Sequence, residues 1–440
     1  MRLPHPVLLL VVGILIAAVF TWVLPAGEFE RRDDPATGRS LVVAGTYHRV
    51  EPAPVGPLGA LVAVPRGMVA AAEVIISILL VGGAFALVDR LGTLGRGAQA
   101  IVRAFHGRGT WALIPVSIVF AAFGALENMQ EEVIALVPVL LVLGRGLGVD
   151  ALTMVAASTG AAAVGAAFGP SNPYQAGIAM KLAQLPLLEG GLLRLALLLA
   201  ALAIWIALTL RYATRHPIAG SDHLGAPTTE PLTRRDLVIL ALVLAPLATY
   251  VVGVLRLDWG FNELSAVFFL AALIIGVVGG LGPSGSTAAY LKGMETMVAA
   301  ALLVGVARGI SVVLTDGRVI DTIVQALASP LLGKPPGLAA VLMVPIQALI
   351  HLPVPSVSGQ AALTMQILIP MSDLIGLSRN ATVLAYQTGA GLAELLVPTN
   401  GALMAVLLAA GVPYSRWFSF AVRGFLLLTL VGIAGILVLE

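Results

Sequence analysis

Glu127-Asn-Met-Gln-Glu-Glu132 sets three carboxylates within six residues of an otherwise apolar stretch. A carboxylate in a poorly solvated place is stable only with a proton, a cation or an amine beside it. Glu127, Asn128, Glu131 and Glu132 are therefore candidates for ion coupling or amine recognition, set against a tip that reaches water and leaves some of them solvated. Two further strings, Gly169-Pro-Ser-Asn-Pro-Tyr174 and Val397-Pro-Thr-Asn-Gly401, lie inside apolar runs. Proline removes a helix hydrogen bond and glycine relaxes the backbone, so both runs break and free amides and carbonyls. Ser171, Asn172, Thr399 and Asn400 add short oxygens there. Such half-helix ends hold a substrate carboxylate on the amide side and a cation, here Na+, on free carbonyls; simple capping of two kinked helices is the plain alternative. His351-Leu-Pro-Val-Pro-Ser-Val-Ser-Gly-Gln360 carries no acid, and its Ser356 and Ser358 either face ligand or cap. Glu394, close to the second break, and Arg308, inside an apolar run, either pair with each other or meet substrate.

The composition says what must position these groups. Of 440 residues, 59% are hydrophobic and 11% charged, with a mean hydropathy of +0.99. A soluble domain carries about 25% charged residues, so a soluble enzyme is excluded and a lipid bilayer is the expected surrounding. A net charge of +2 supplies no field for nucleic acid. The absence of cysteine excludes disulfides and thiolate metal sites. No P-loop or HExxH string occurs, and Gly-x-Ser matches at Gly169-Pro-Ser171 and Gly309-Ile-Ser311 are cheap in a chain with 48 glycines. No enzyme and no organic cofactor are expected.

A spanning helix needs about 20 apolar residues. Val7–Leu24, Met68–Val88, Ala151–Leu185 with its break, Leu192–Leu210, Leu237–Leu255, Leu264–Leu281, Met297–Leu314, Ala381–Ala410 with its break and Trp417–Leu439 meet that need. Residues 28–51, with nine charges, read as a loop outside the bilayer. The stretches 111–143 and 338–370 are too long for one helix and carry central polar residues and prolines. They read as re-entrant hairpins, tolerated where protein or water surrounds them. Leu94–Phe105 and Val319–Leu327 show the apolar spacing of helices lying in the interface. Arg90, Arg96, Arg103, Arg108, Arg211, Arg215, Arg234 and Arg235 mark one side as cytoplasmic.

The chain also repeats itself. Gly67-Met68 matches Gly293-Met294, Leu87-Val-Asp89 matches Leu314-Thr-Asp316, and Ser158-Thr-Gly160 matches Gln387-Thr-Gly389. Pro170-Ser-Asn172 likewise matches Pro398-Thr-Asn400. An odd number of crossings separates the copies, so the second enters from the opposite face. The division expected is residues 1–66 for the first helix and external loop, 67–210 for the first repeat, 211–236 for a cytoplasmic linker, and 237–440 for the second half, its repeat starting near 293. The fold class is an all-α polytopic membrane protein with two inverted-topology repeats, each holding a re-entrant hairpin and a broken transmembrane helix, the architecture of secondary transporters.

Leu24-Pro-Ala-Gly-Glu28, Gly45-Thr-Tyr-His48, Ala307-Arg-Gly-Ile310, Pro355-Ser-Val-Ser-Gly359 and Leu396-Val-Pro-Thr-Asn400 occur in an order that resembles the DcuC-type C4-dicarboxylate carrier family, its YfcC-like branch, within the ion transporter superfamily. The resemblance covers nearly the whole chain. It implies a homodimeric inner-membrane secondary transporter in which hairpins and broken helices move, elevator fashion, against a scaffold. It also implies a small carboxylate-bearing substrate, amino acid or organic acid, coupled to Na+ or H+ or exchanged by antiport. The acidic 127–132 tip replaces the Ser-Asn-Thr tips of dicarboxylate members and weighs against a dianion. A C4-dicarboxylate, a basic amino acid antiporter and a channel remain as alternatives.

Overall fold

In a computed structural model the structure describes residues 6–34, 39–104, 109–186, 188–217, 232–257 and 259–440. Helix α1 (Pro6–Val23) buries Leu10, Ile14 and Ala17 and turns Leu8, Leu15, Val19 and Val23 outward. An apolar outer face of that kind suits lipid, and the same holds for Leu192 (87% exposed) and Val277 (82%) further on. Residues 28–34 and 39–51 carry more regular structure than a plain loop. β1 (Gly27–Glu28) pairs antiparallel with β4 (His48–Arg49), and β2 (Arg31–Asp34) with β3 (Arg39–Val42). Phe29 and Val42 of this segment are buried against the chain body.

Helix α2 (Pro57–Ala70) precedes the span read from residue 68, and after Ala71 the chain continues as α3 (Ala72–Arg90). Pro65 and Arg66 hide α2 from a hydropathy reading, while Pro57 sits in the first turn, where a missing N–H costs nothing. Then come α4 (Thr93–Ala104), α5 (Leu113–Glu127), α6 (Glu131–Leu147), α7 (Ala151–Val155), α8 (Ala161–Phe168), α9 (Ile178–Leu182) and α10 (Gly191–Arg215). Single π-helical turns join α7 to α8 and lead into α9. The second half holds α11 (Arg234–Leu257), α12 (Phe261–Val278), α13 (Gly282–Asp316), α14 (Ile320–Ala328), α15 (Pro336–Ile350), α16 (Val357–Ile375), α17 (Arg379–Ala393), α18 (Gly401–Ala409) and α19 (Tyr414–Leu439). Residues 218–231 of the expected linker, and Phe105 and Arg108 beside α4, lie outside the described residues.

Among the described residues, nine helices are long and apolar enough to cross a membrane; they include Thr110–Glu127, read above as a hairpin arm, and not the expected span 381–410, which the break divides into α17 and α18. α13, read from the sequence as Met297–Leu314, is a single helix of 35 residues, about 52 Å long. Left-handed Gly280 and Gly282 (φ +67° and +70°) turn the chain into it. α2 and α3 lie antiparallel along it: Gly67 faces Gly305 and Gly309, and Gly82 faces Met297. A Cβ on Gly67 would stand 2.5 Å from the Gly305 carbonyl oxygen, so only glycine allows this backbone approach. On the Arg90 side, Asp236 accepts from Thr93 Oγ1 (2.8 Å) and Arg96 Nε (2.9 Å), tying α4 to α11.

α5–α6 and α15–α16 occupy the two stretches read from the sequence as hairpins. α15 has 15 residues, about 22 Å and short of the roughly 30 Å hydrocarbon core, whereas α5 with the turn before it, Thr110–Glu127, has 18 and is among the nine. Each packs on a broken helix through small residues. A Cβ on Gly124 of α5 would meet the Ala162 carbonyl oxygen of α8 at 1.9 Å, and one on Gly389 of α17 would meet that of Val344 of α15 at 2.3 Å. The glycines thus set how closely each hairpin lies on its partner.

Candidate functional site

The first hairpin ends where Asn128 takes a left-handed backbone (φ 59°), a conformation asparagine tolerates better than most residues. Its backbone N–H donates to the Gly124 carbonyl (3.0 Å). Its Oδ1 accepts from Gln175 Nε2 (2.7 Å) and Asn172 Nδ2 (3.3 Å), which joins the tip to the first break. Asn172 is fully buried. It caps the helix after the break by accepting from the amides of Tyr174 (2.9 Å) and Gln175 (2.8 Å), and its Nδ2 also donates to the Gly124 carbonyl (2.8 Å). Ser171 is exposed and donates to the Ala125 carbonyl at 3.4 Å.

Other atoms join the second break to the second tip: Thr399 Oγ1 donates to the Leu352 carbonyl (2.8 Å). Asn400 caps α18 by accepting from the Leu403 amide (3.2 Å), and Ser356 caps α16 by accepting from the Gly359 amide (3.3 Å). Gln387 of α17 crosses to the first break, donating to the carbonyls of Gly169 (2.8 Å) and Ala166 (3.1 Å).

Between the tips lies a cavity of about 250 Å³. Glu127, Asn128, Glu131, Glu132, Ser356, Ser358, Glu394 and Asn400 line it; Ser171, Asn172 and Thr399 do not. Glu132 accepts from the Gln130 amide (3.1 Å), and Glu394 accepts from Gln130 Nε2, so a carboxylate of the second half meets the first tip. Glu394 and Arg308 do not form an ion pair. Arg308 lines the cavity, acts electrostatically on Glu131, and has no hydrogen bond or ion pair among the described residues. It also lines a vestibule of about 660 Å³, whose other arginines are neutralised: Arg31 by Asp321 (2.8 Å), Arg318 by Glu28 (3.5 Å) and Arg66 by Asp316.

Gln130, Gln175, Tyr174 and Tyr250 belong to this neighbourhood and escaped the sequence reading. The glutamines carried a signal, since an uncharged amide inside an apolar run must find a partner. Nothing in the chain says which partner, because Gln130 and Glu394 stand 264 positions apart. The side-chain oxygens at the breaks are engaged as caps or as donors to carbonyls, and the Gly169 carbonyl is taken by Gln387. Ser171 and Thr399 give their protons to carbonyls and keep oxygen lone pairs that a cation such as Na+ could meet. Among the described residues, no three histidine or acidic side chains converge on one metal position.

This geometry can be set beside known proteins. The C4-dicarboxylate anaerobic carrier family profile, DcuC, matches residues 3–440. The Escherichia coli (strain K12) protein named "Putative basic amino acid antiporter YfcC" is 30% identical, over 94% of this chain and 92% of its own length. An uncharacterized protein of Haemophilus influenzae is 28% identical, over 90% and 80%. Among solved structures, the Alcanivorax borkumensis YdaH transporter aligns with a TM-score of 0.45 at 18% identity, covering 99% of this chain and 98% of that one. Neisseria gonorrhoeae MtrF aligns with a TM-score of 0.42 at 18% identity, covering 99% and 94%. With its profile matched from end to end, the chain belongs to the DcuC family and is a multi-pass bacterial membrane transporter.

Proposed function

We propose that the protein is a secondary active transporter that exchanges basic amino acids across the inner membrane. The observation that carries this reading is the charge pattern of one cavity: four carboxylates, Glu127, Glu131, Glu132 and Glu394, face a single unpaired cation, Arg308. A basic amino acid bears one carboxylate and a cationic far end. Arg308 suits the first through a charge-assisted, two-pronged hydrogen bond. The acidic group suits the second. A C4-dicarboxylate would put a second negative charge among the glutamates, a repulsive arrangement in low dielectric. The volume equals that of about eight waters, the scale of one small metabolite. The name carried by the E. coli relative points the same way.

Exchange follows from the same charges. Crowded carboxylates do not cross a bilayer bare, so the site carries either a substrate cation or protons in each direction. The sequence repeat, together with α2–α3 lying antiparallel to α13, supports two inverted halves. The glycine-tight packing of hairpins on broken helices supports a rigid moving body. That body would slide against a scaffold containing α1, α3, α11, α12 and α13, paired with a second copy, in a transition between two packed states. Counterflow in proteoliposomes tests the reading. With arginine inside, labelled arginine accumulates, and unlabelled ornithine outside blocks it. Saturable exchange of succinate with no response to arginine favours the dicarboxylate reading, and single-channel conductance overturns exchange altogether.

A further inference from the structure

We infer that His351, at the second hairpin tip, is a proton-binding site whose protonation opens that hairpin. The ring is fully buried, yet the hydrogen bonds around it leave one nitrogen without a partner. Gln360 Nε2 lies 2.7 Å from the Gln347 carbonyl oxygen, which can only accept. That atom is therefore the amide nitrogen, and the opposite atom, Oε1, faces His351 Nδ1 at 2.9 Å. An amide oxygen only accepts, so Nδ1 carries the ring proton and the buried Nε2 is a bare lone pair. The rest of the network closes on itself: Gln360 Nε2 donates to Gln347 Oε1 (2.6 Å), Gln347 Nε2 to Thr364 Oγ1 (3.2 Å), and Thr364 Oγ1 to the Gln360 carbonyl (2.9 Å). No donor is left over for Nε2.

A proton on Nε2 would create a buried imidazolium without a counter-charge. The charged groups on the elements packed around the hairpin are committed elsewhere or exposed, Lys181 of α9 among the exposed. Asp321 of α14 is held by Arg31 and the Phe29 amide. Asp373 of α16 pairs with Arg379 of α17, and Glu394, just past α17, holds Gln130. On α19, Arg416 pairs with Asp150, Arg423 is exposed, and Glu440 sits beside Gly337 near the hairpin base. The packed hairpin therefore admits only neutral His351, and a proton binds where the tip has opened to water. A ligand that binds one of two states shifts the population towards it, and by linkage one proton shifts that balance by up to roughly tenfold per pH unit. This inference rests on the hairpin network alone and does not depend on which substrate is carried.

The test needs no substrate. A single cysteine, Ser358→Cys, placed in this cysteine-free chain and probed with a membrane-impermeant maleimide reports tip opening, normalised at each pH to the same reporter in His351→Asn. Asparagine can still donate to Gln360 but cannot take a proton. The expected result is labelling that rises roughly tenfold relative to His351→Asn between pH 8 and pH 5.5. Identical pH profiles overturn the proposal. Should His351→Asn fail to fold, His351→Gln takes its place. On the unmodified chain, deuterium exchange at the imidazole C2 carbon, read by mass spectrometry, reports the ring's own titration. A His351 whose titration is displaced below the free-imidazole range of about 6.5 supports the site, because the closed hairpin resists the proton, and a ring that takes no proton down to about pH 4 overturns it.

Discussion

The two hairpins share the length of their first arms and a way of packing, yet they handle polarity in opposite ways. The first turns through left-handed Asn128 and points its carboxylates into the cavity. The second turns through Pro353 and Pro355 and folds His351, Gln347, Gln360 and Thr364 inward on one another. A tip whose charges face a shared space is built to meet cargo. A tip whose polar groups satisfy each other is built to hold a shape and release it. Under the exchange proposed above, the first tip would meet cargo together with Arg308 and Glu394, and the second tip would open and close beside it.

Several substitutions sharpen that contrast. The largest effect belongs to Arg308→Gln, which leaves the substrate carboxylate unpaired; such losses cost about 2–5 kcal/mol, so counterflow falls by roughly two orders of magnitude, with partial rescue by Arg308→Lys. Next are Glu131→Gln and Glu394→Gln. They alter the pH dependence of exchange, or the preference for basic over neutral amino acids, as read from competition curves. Unchanged profiles in Gln variants of all four cavity carboxylates would return them to a solvated, structural role.

Glycine substitutions compare the hairpins directly. Gly124→Ala drives a Cβ into the Ala162 carbonyl and costs about 1–3 kcal/mol or more. Gly359→Ala meets only Ser356 Oγ at 3.2 Å and stays within about 0.5 kcal/mol. Thermal unfolding in detergent separates the two, and equal losses would deny that the Gly124 backbone contact sets the first hairpin's seat. Asn172→Ala removes a cap and a clamp on Asn128, costing about 1 kcal/mol. The smallest effect is Asp373→Asn at the base of the second hairpin. Arg379 holds that carboxyl below the ordinary aspartate range, so its slight contribution is present above that range and is lost as pH falls through the lowered value; the pair is partly exposed and worth little.

Much of this plan was legible from one chain because the signals are local. Proline and glycine inside apolar runs announce both breaks, and acids in an apolar hairpin announce the first tip. What stayed hidden depends on partners distant in sequence or on mixed signals. Pro65 and Arg66 mask α2, and the Gly, Ser and Lys content of residues 282–292 masks the first turns of α13. A break and a binding site use the same residue types, so the sequence alone does not separate Ser171, Asn172 and Thr399 from residues that face a cavity. In the folded chain these three serve the joints between breaks and hairpins, while Asn400 alone of that group faces the cavity.

The account stands on Arg308 and the carboxylates reading opposite ends of one molecule. Thermal shift with three probes tests that claim: arginine, agmatine as arginine without its carboxylate, and succinate as the dianion. A ligand that binds only the folded state raises the apparent Tm. The account predicts a clear rise with arginine, a smaller one with agmatine and none with succinate, and a gap between arginine and agmatine that closes in Arg308→Gln. A rise with succinate alone, or a gap that persists in Arg308→Gln, would contradict it.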